Sequence, residues 1–246
     1  MPGKTEAGFP QDRVDNRVAA DQSGTMRGKF ITFEGGEGSG KSTQVAALAL
    51  RLQKLGIGVK VSREPGGSAG AEAIRHVLLS GAAKPLGPHA EAILFAAARA
   101  DHLRETIRPA LERGQWVISD RFADSTRVYQ GVLGNVEAGV IARLEKLVVG
   151  EQMPDLTIIL DLDPAIGLAR ATKRRGNASV DRFEAEEFDF HKKLREAYLD
   201  LAAREPGRVA VVNANADATA VASGVWAVVT ERLQPAWRPK QIRDAS

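Results

Sequence analysis

The sequence predicts an α/β fold in which a five-stranded parallel sheet lies between layers of helices. Five short apolar runs are rich in β-branched residues and lack strict apolar–polar alternation, which is typical of parallel strands buried on both faces. The longer stretches between them carry apolar residues at spacings of three and four, as amphipathic helices do. Strands that alternate with helices imply right-handed crossovers and a parallel sheet covered on both sides.

The predicted elements alternate from the first apolar run to the end of the domain. The strands are predicted at 30–33, 58–61, 116–119, 156–160 and 209–212. The helices are predicted at 43–55, 71–79, 88–113, 136–149, 164–175, 184–204 and 217–233.

The length and composition bound the domain organisation. A chain of 246 residues suits one sizeable domain, which we place at 29–235, after a flexible extension (1–28) and before a loose polar tail (236–246). The absence of cysteine excludes disulfides and thiolate metal sites, and no apolar run reaches the roughly 18 residues of a membrane-spanning helix. The formal charge of +3 suits a small anionic substrate better than a nucleic acid. We therefore expect a cytoplasmic protein that binds neither nucleic acid nor membrane.

The segment 35–42 (GGEGSGKS), between the first predicted strand and helix, matches the Walker A pattern. Its glycines let backbone N–H groups point at phosphate oxygens, and the helix N-terminus adds its positive dipole end. Lys41 neutralises phosphate charge and the Ser42 hydroxyl can bind Mg²⁺. A chance glycine-rich turn is the alternative. The pattern predicts a P-loop NTPase fold with a nucleotide site formed by Gly35, Gly36, Glu37, Gly38, Ser39, Gly40, Lys41, Ser42 and Thr43.

Further motifs turn this superfamily prediction into a family. They are REPGG at 63–67, FAAAR at 95–99, DRF at 120–122, DST at 124–126 and YQG at 129–131. Together with the Walker A loop, their order and spacing resemble bacterial thymidylate kinases from about Lys29 to the last helix. The resemblance implies transfer of the γ-phosphate of Mg-ATP to dTMP, giving dTDP and ADP in dTTP biosynthesis. It also implies a homodimer.

The same resemblance assigns residues to the nucleoside of dTMP. Phe95 stacks on the thymine ring, and Arg99, one helical turn away on the same face, donates to a thymine carbonyl. Tyr129 fills the space of a ribose 2′-hydroxyl and so selects deoxyribose. Glu37 points at the sugar 3′-hydroxyl, which avoids repulsion with phosphate. Three polar residues line the base pocket: Ser125, Thr126 and Gln130.

The resemblance also assigns the groups that meet phosphate and metal. Arg75 binds the acceptor phosphate, and Arg121 lies between the donor and acceptor phosphates. Arginine suits both roles because its guanidinium fork donates paired hydrogen bonds to phosphate oxygens. Asp120, at a strand end, reaches Mg²⁺ directly or through water, and Glu64 faces the metal region. A buried structural ion pair is the alternative for Asp120 and Arg121. A cis peptide bond is expected before Pro65.

Basic side chains crowd the end of the predicted helix 164–175, at Arg170, Lys173, Arg174 and Arg175. By resemblance, a lid over ATP lies here, at about 170–184. The phosphate loop contains no arginine, so a transition-state arginine must come from elsewhere, as in the branch of the family whose lid supplies it. Arg174 and Arg175 are both candidates for this catalytic role.

Two other function classes compete with this reading. A deoxyribonucleoside kinase shares the phosphate cradle, but it needs a carboxylate base to deprotonate a sugar hydroxyl. A thymidylate kinase needs no base, since its acceptor phosphate is mostly a dianion at neutral pH. A non-enzymatic nucleotide switch normally carries an Asn-Lys-x-Asp guanine reader, which the sequence lacks. A scaffold that only binds ATP has no use for the acceptor-side residues.

Overall fold

A computed structural model describes residues 27–175, 183 and 186–235. Within that part of the chain, five parallel strands form one sheet. They are β1 (Phe30–Glu34), β2 (Val59–Arg63), β3 (Trp116–Asp120), β4 (Leu156–Asp161) and β5 (Val209–Asn213), in the order β2-β3-β1-β4-β5. This confirms the predicted sheet. Residues 1–26 of the extension expected at 1–28, the tail at 236–246 and most of the expected lid lie outside the described residues.

Helices cover both faces of the sheet. They are α1 (Lys41–Lys54), α2 (Ala69–Leu79), α3 (Gly87–His102), α4 (Arg108–Glu112), α5 (Ala123–Thr126), α6 (Ala138–Val148), α7 (Pro164–Arg175), α8 (Phe188–Arg204) and α9 (Ala218–Leu233). One core cluster packs α1 and α9 against β1, β3 and β4, with Leu52, Ile158 and Val225 buried. Another core cluster joins Phe30 and Phe122 to the α3–α4 region.

The burial prediction is right for the three central strands and wrong for the edge strands β2 and β5, since β5 leaves Val211 and Asn213 exposed. β1 is buried along its whole length, as are all but the last residues of β3 and β4. β2 leaves Lys60, Val61 and Arg63 exposed, because it is the first strand in the sheet order and pairs only with β3.

Two helical regions differ from their prediction. The helix expected at 88–113 is divided by a π-helical turn, Leu103–Ile107, between α3 and α4. A helix was not expected at α5, which continues as a second π-helical segment, Arg127–Leu133. A π-turn has i→i+5 hydrogen bonds and is wider than an α-helical turn, so it disrupts the 3.6-residue apolar periodicity by which helices are found in a sequence.

The carboxyl ends of the parallel strands lie at the same edge of the sheet, where ligands bind in open α/β sheets. The phosphate loop follows β1, the REPGG segment follows β2 and the DRF segment follows β3. The topology therefore brings the predicted site motifs together. None of the helices in the described part of the chain has the length and apolar character to cross a membrane.

Candidate active site

One continuous groove of about 390 Å³ lies at this edge of the sheet. It joins the phosphate loop to the region of α3 and α5, and Arg121 lies along it. Nearly all the predicted site residues line it. The lining includes Glu37, Gly38, Gly40, Lys41, Ser42, Thr43, Glu64, Arg75, Phe95, Arg99, Asp120, Arg121, Ser125, Thr126, Tyr129, Gln130 and Arg174.

The phosphate loop wraps around the start of α1. Gly38 has a φ of +65° and packs so closely on α7 that a Cβ there would lie 2.0 Å from the carbonyl oxygen of Gly167. Lys41 folds back into the loop, and its Nζ donates to the carbonyl oxygens of Gly35 at 3.0 Å and Gly36 at 2.9 Å. Burial lowers the pKa of Lys41, and the charge of Arg121 lowers it further. A phosphate in the loop would offer this ammonium a stronger acceptor than two carbonyls.

The two groups expected at Mg²⁺ contact each other. The Ser42 hydroxyl donates to Asp120 Oδ2 at 2.8 Å. Both are hard oxygen ligands of the type that Mg²⁺ prefers, and Mg²⁺ commonly takes one carboxylate and completes its shell with water and substrate phosphates. Among the described residues, no three His, Asp or Glu side chains cluster as a metal site. The Ser42–Asp120 pair thus fits an ion held jointly with a nucleotide.

Arg121 lies at the centre of the groove in a conformation that non-glycine residues rarely adopt. Its φ is +70°, and the backbone is held by its N–H on the Phe33 carbonyl at 2.9 Å and by the Ser119 hydroxyl on its own carbonyl at 2.8 Å. Its guanidinium donates to Glu37 Oε1 at 2.7 Å and lies over the Tyr129 ring.

Glu37 is ionised inside this cationic cluster. Burial opposes ionisation, yet Lys41, Arg121 and Arg174 together hold the pKa of the Glu37 carboxyl below its usual value. The carboxylate therefore remains an acceptor at neutral pH. An acceptor between the phosphate loop and Arg121 suits a sugar hydroxyl.

A second carboxylate, Glu34, shares two hydroxyl partners with Arg121, those of Ser125 and Tyr198. It is fully buried at the end of β1, where it accepts from the Phe122 backbone N–H at 2.9 Å, the Ser125 hydroxyl at 2.6 Å and the Tyr198 hydroxyl at 2.8 Å. Arg121 NH1 in turn lies 3.3 Å from both the Ser125 and the Tyr198 oxygens. Burial raises the pKa of Glu34 to about 7.

Arg99 lies at the opposite end of the groove from the phosphate loop. Its Nε donates to Glu64 Oε2 at 2.8 Å, and its NH2 donates to Thr126 Oγ1 at 3.0 Å and to the Phe122 carbonyl at 3.2 Å. The Glu64–Pro65 peptide bond is cis, as expected.

The expectation that Glu64 faces the metal differs from its contacts. One carboxylate oxygen accepts from Arg99, and the other lies 3.0 Å from Nδ1 of His102. Only 5% of the Glu64 side chain is exposed. We therefore assign Glu64 to the orientation of Arg99, and its expected metal role stays a prediction.

Aromatic side chains line the pocket near Arg99. Phe95 is half-buried on α3, and Tyr129 packs edge-to-face with Phe183, with ring centroids 5.2 Å apart. Phe183 also lies 6.4 Å from the Phe95 ring. The Tyr129 hydroxyl is buried, and no hydrogen-bond partner for it occurs among the described residues. Gln130 is buried beside it.

The predicted phosphate and lid arginines lie in different parts of the groove. Arg75 NH1 donates to the Pro65 carbonyl, which holds it beside the REPGG segment. Arg174 lines the groove near Glu37. Arg170 donates to the Ala214 carbonyl. The side chain of Arg175 and residues 176–182 lie outside the described part of the chain.

Sequence reasoning missed four residues of this site: Glu34, His102, Phe183 and Tyr198. Glu34 and Tyr198 contact each other but are 164 residues apart in the chain, so no local pattern reveals their contact. His102 has a local signal, since it follows Phe95 by seven residues and Arg99 by three, on one face of α3.

Known proteins resemble the chain along most of its length. A sequence model of the thymidylate kinase family matches residues 33–225. A thymidylate kinase of Nitrobacter hamburgensis is 58% identical over 215 residues, which cover 87% of this chain and 94% of the relative. A thymidylate kinase of Bradyrhizobium diazoefficiens is 55% identical over 217 residues, 88% of this chain and 95% of the relative. The crystal structure of thymidylate kinase from Ehrlichia chaffeensis superposes with a TM-score of 0.67 at 32% identity, covering 83% of this chain and 99% of that one.

Proposed function

The chain belongs to the thymidylate kinase family, and we propose which step of the reaction each of its site residues serves. Members of the family phosphorylate dTMP to dTDP in dTTP synthesis with ATP as co-substrate, and the chain is a phosphotransferase of this kind. The observation that carries the residue assignments is the single groove shared by Lys41, Arg121 and Arg99.

ATP binds with its phosphates in the loop 35–42. The backbone N–H groups and the N-terminus of α1 face the phosphates, and Lys41 leaves the Gly35 and Gly36 carbonyls to reach the β- and γ-phosphates. Ser42 and Asp120 would hold Mg²⁺, which would supply positive charge against the transferred group.

dTMP binds at the other end of the groove. Phe95 stacks on the base, Arg99 donates to a base carbonyl, and Ser125, Thr126 and Gln130 surround this pocket. The buried Tyr129 ring occupies the space that a ribose 2′-hydroxyl would need, and Glu37 accepts from the 3′-hydroxyl. The contacts of Ser125 with Glu34 and of Thr126 with Arg99 support a positioning role for both hydroxyls.

The phosphate of dTMP lies between Arg75 and Arg121. One of its oxygens attacks the γ-phosphorus of ATP in line, the bond from that phosphorus to the bridging oxygen breaks, and ADP leaves. No general base is required, since a phosphate monoester is largely dianionic above a second pKa of about 6. The barrier is the mutual repulsion of two anions, which the positive charges of Lys41 and Arg121 lower.

Arg174 is the lid arginine that we assign to the transferred phosphoryl group. It lines the groove, and its charge helps to lower the pKa of the Glu37 carboxyl. An arginine at such a position is worth about 10³–10⁵ in rate. Arg175 remains the alternative candidate.

A coupled assay of ADP release across nucleotides and nucleosides tests the proposal. We expect turnover with dTMP and none with thymidine or AMP, because the groove is built for an acceptor phosphate and a carbonyl-bearing base. Turnover with thymidine would instead indicate a deoxyribonucleoside kinase, and ATP binding without turnover would indicate a scaffold.

A homodimer and a cytoplasmic location are further proposals that rest on family resemblance. Light scattering on the purified chain tests the first: a mass near twice 26.4 kDa is expected.

A further inference from the structure

Helix α3 carries a third functional candidate on the face that bears Phe95 and Arg99. His102 is fully buried at the end of this helix. It does not line the groove, and the proposed reaction gives it no role.

Both ring nitrogens of His102 are engaged by side chains. Nδ1 lies 3.0 Å from Glu64 Oε1, and Nε2 lies 2.6 Å from the Ser62 hydroxyl. The second oxygen of Glu64 accepts from Arg99 Nε at 2.8 Å. A chain of hydrogen bonds thus runs from Ser62 on β2 through His102 and Glu64 to Arg99.

These contacts fix which edge of the Arg99 guanidinium is available. Nε donates to Glu64, and the two N–H bonds of NH2 are directed to the Thr126 hydroxyl and the Phe122 carbonyl. In the described part of the chain, NH1 makes no hydrogen bond to protein. Because Arg99 lines the groove, its two NH1 donors are the ones left for a ligand.

We propose that His102 is a positioning residue for recognition of the pyrimidine base. By holding Glu64 Oε1, it keeps Glu64 Oε2 directed at Arg99 Nε and so fixes the direction of the NH1 donors. A base with a carbonyl facing NH1 is accepted, whereas an amino group at that position meets donor with donor. The inference rests on the proposed assignment of Arg99 to the base.

The burial of this chain makes the His102 contact hard to replace. His102 is wholly buried and Glu64 is 5% exposed, so solvent has little access to take the place of a lost donor. Because an unsatisfied buried acceptor is costly, Glu64 Oε1 would turn to the donor that remains, the Arg99 guanidinium, and compete with a ligand for its N–H groups. We expect Arg99 to lose its fixed direction as a result.

The order Ser62–His102–Glu64 also matches a nucleophilic triad, but the surroundings exclude that chemistry. A Cβ at Gly67 would lie 2.4 Å from Ser62 Oγ and 2.5 Å from His102 Nε2, so the Gly67 backbone covers both groups. There is no space for an acyl group beside the serine. Glu64 is also shared with Arg99, unlike a carboxylate that serves only to orient histidine.

Two substitutions of His102 separate positioning from general packing. In His102→Asn the amide nitrogen takes the place of Nδ1 and can still donate to Glu64. In His102→Gln the amide reaches the position of Nε2 and leaves Glu64 Oε1 without its donor. Loss of a buried hydrogen bond to a charged group changes an equilibrium constant about tenfold or more. We therefore expect His102→Gln to raise KM for dTMP about tenfold and to weaken the preference for dTMP over dCMP by a similar factor.

The remaining readouts test whether the effect is confined to the base. KM for ATP should stay within about twofold in His102→Gln, and His102→Asn should retain most of the native preference for dTMP. His89→Gln, an exposed histidine paired with Glu137, is the matched control and should change nothing. If His102→Gln does not fold by circular dichroism, Glu64→Gln carries the same expectation.

Three results would overturn the inference: unchanged kinetics in His102→Gln, equal impairment in the Asn and Gln variants, or a parallel rise of both KM values. The unsubstituted protein is assayed alongside. Its failure to phosphorylate dTMP would contradict the proposed function, whereas normal turnover with unresponsive His102 variants would contradict this inference alone.

Discussion

A single residue, Arg121, connects the two halves of the groove. Its backbone is held with a φ of +70°, and its guanidinium contacts Glu37 from the phosphate loop and lies near Ser125 and Tyr198. A fork of donors with a fixed plane can contact two anionic groups at once, which a lysine ammonium does less well.

The substitution Arg121→Lys tests this use of the fork. Charge is kept and paired donation is lost, so we expect kcat to fall on the order of 100-fold. The KM for ATP should change little. Steady-state kinetics with Arg104→Lys, an exposed arginine in the π-helical turn after α3, provide the control. Equal activity of the two variants would mean that charge alone suffices at Arg121.

Prediction from sequence reached most of the residues that line the groove, although not Phe183, and missed those that support them. Lys41, Arg99 and Arg121 belong to motifs with recognisable spacing. Glu34 and Tyr198 act through a contact between distant segments. A glutamate at a strand end or a tyrosine in a helix is common in any protein, so neither residue stands out in the sequence. The proposed roles of the lining residues stay predictions until kinetics test them.

At the scale of elements, α7 is packed against the phosphate loop through two glycines. A Cβ at Gly167 would lie 2.3 Å from the Glu37 carbonyl oxygen, and one at Gly38 would lie 2.0 Å from the Gly167 carbonyl. Both contacts are with backbone, so neither side can give way without moving the loop. Since α7 also carries Arg174, this contact sets the distance between the proposed lid arginine and the phosphate loop.

The variant Gly167→Ala should therefore impair the donor side of the reaction. We expect KM for ATP to rise about tenfold or more as the loop shifts, in line with the 1–3 kcal/mol cost of overpacking. KM for dTMP should rise less. Gly207→Ala is the control, because a Cβ there would contact nothing within 4 Å. If both variants bind ATP normally, the contact between α7 and the loop has no functional part.

The five strands follow from the sequence to within two residues, since short β-branched runs give a strong signal. The exposure of β2 did not follow, because strand order depends on pairing between distant segments. The helix from Ala123 to Leu133 was missed because π-turns and polar site residues remove its periodicity.

At the scale of the whole molecule, the buried Glu34 carboxyl links the stability of the fold to pH. Its pKa is raised from 4.5 to about 7 by burial. A pKa raised in the folded state means that the folded chain holds the proton more tightly than the unfolded chain. The contribution to stability is full below about pH 4.5 and is lost as pH rises toward 7. At 1.36 kcal/mol per unit the loss is about 3 kcal/mol.

The variant Glu34→Gln should lack this loss. Between pH 4.5 and 7.5 we expect its free energy of unfolding to gain about 3 kcal/mol relative to the original chain, because other titrating groups cancel in the comparison. Urea unfolding at a series of pH values measures it. Glu105→Gln, at an exposed position, should give a curve parallel to the original. Parallel curves for Glu34→Gln would show that Glu34 ionises normally in the fold.

Two nucleotides that lie end to end in one groove, with their phosphates meeting at Lys41 and Arg121, can be replaced by one molecule that carries both nucleosides. Calorimetric titration with adenosine and thymidine joined at their 5′ positions through a chain of phosphates measures whether the groove binds such a molecule. We predict one equivalent bound per chain, more tightly than ATP or dTMP alone, and displaced by both, because the second moiety binds at high effective concentration. Binding of two equivalents, or displacement by ATP only, would contradict a continuous groove.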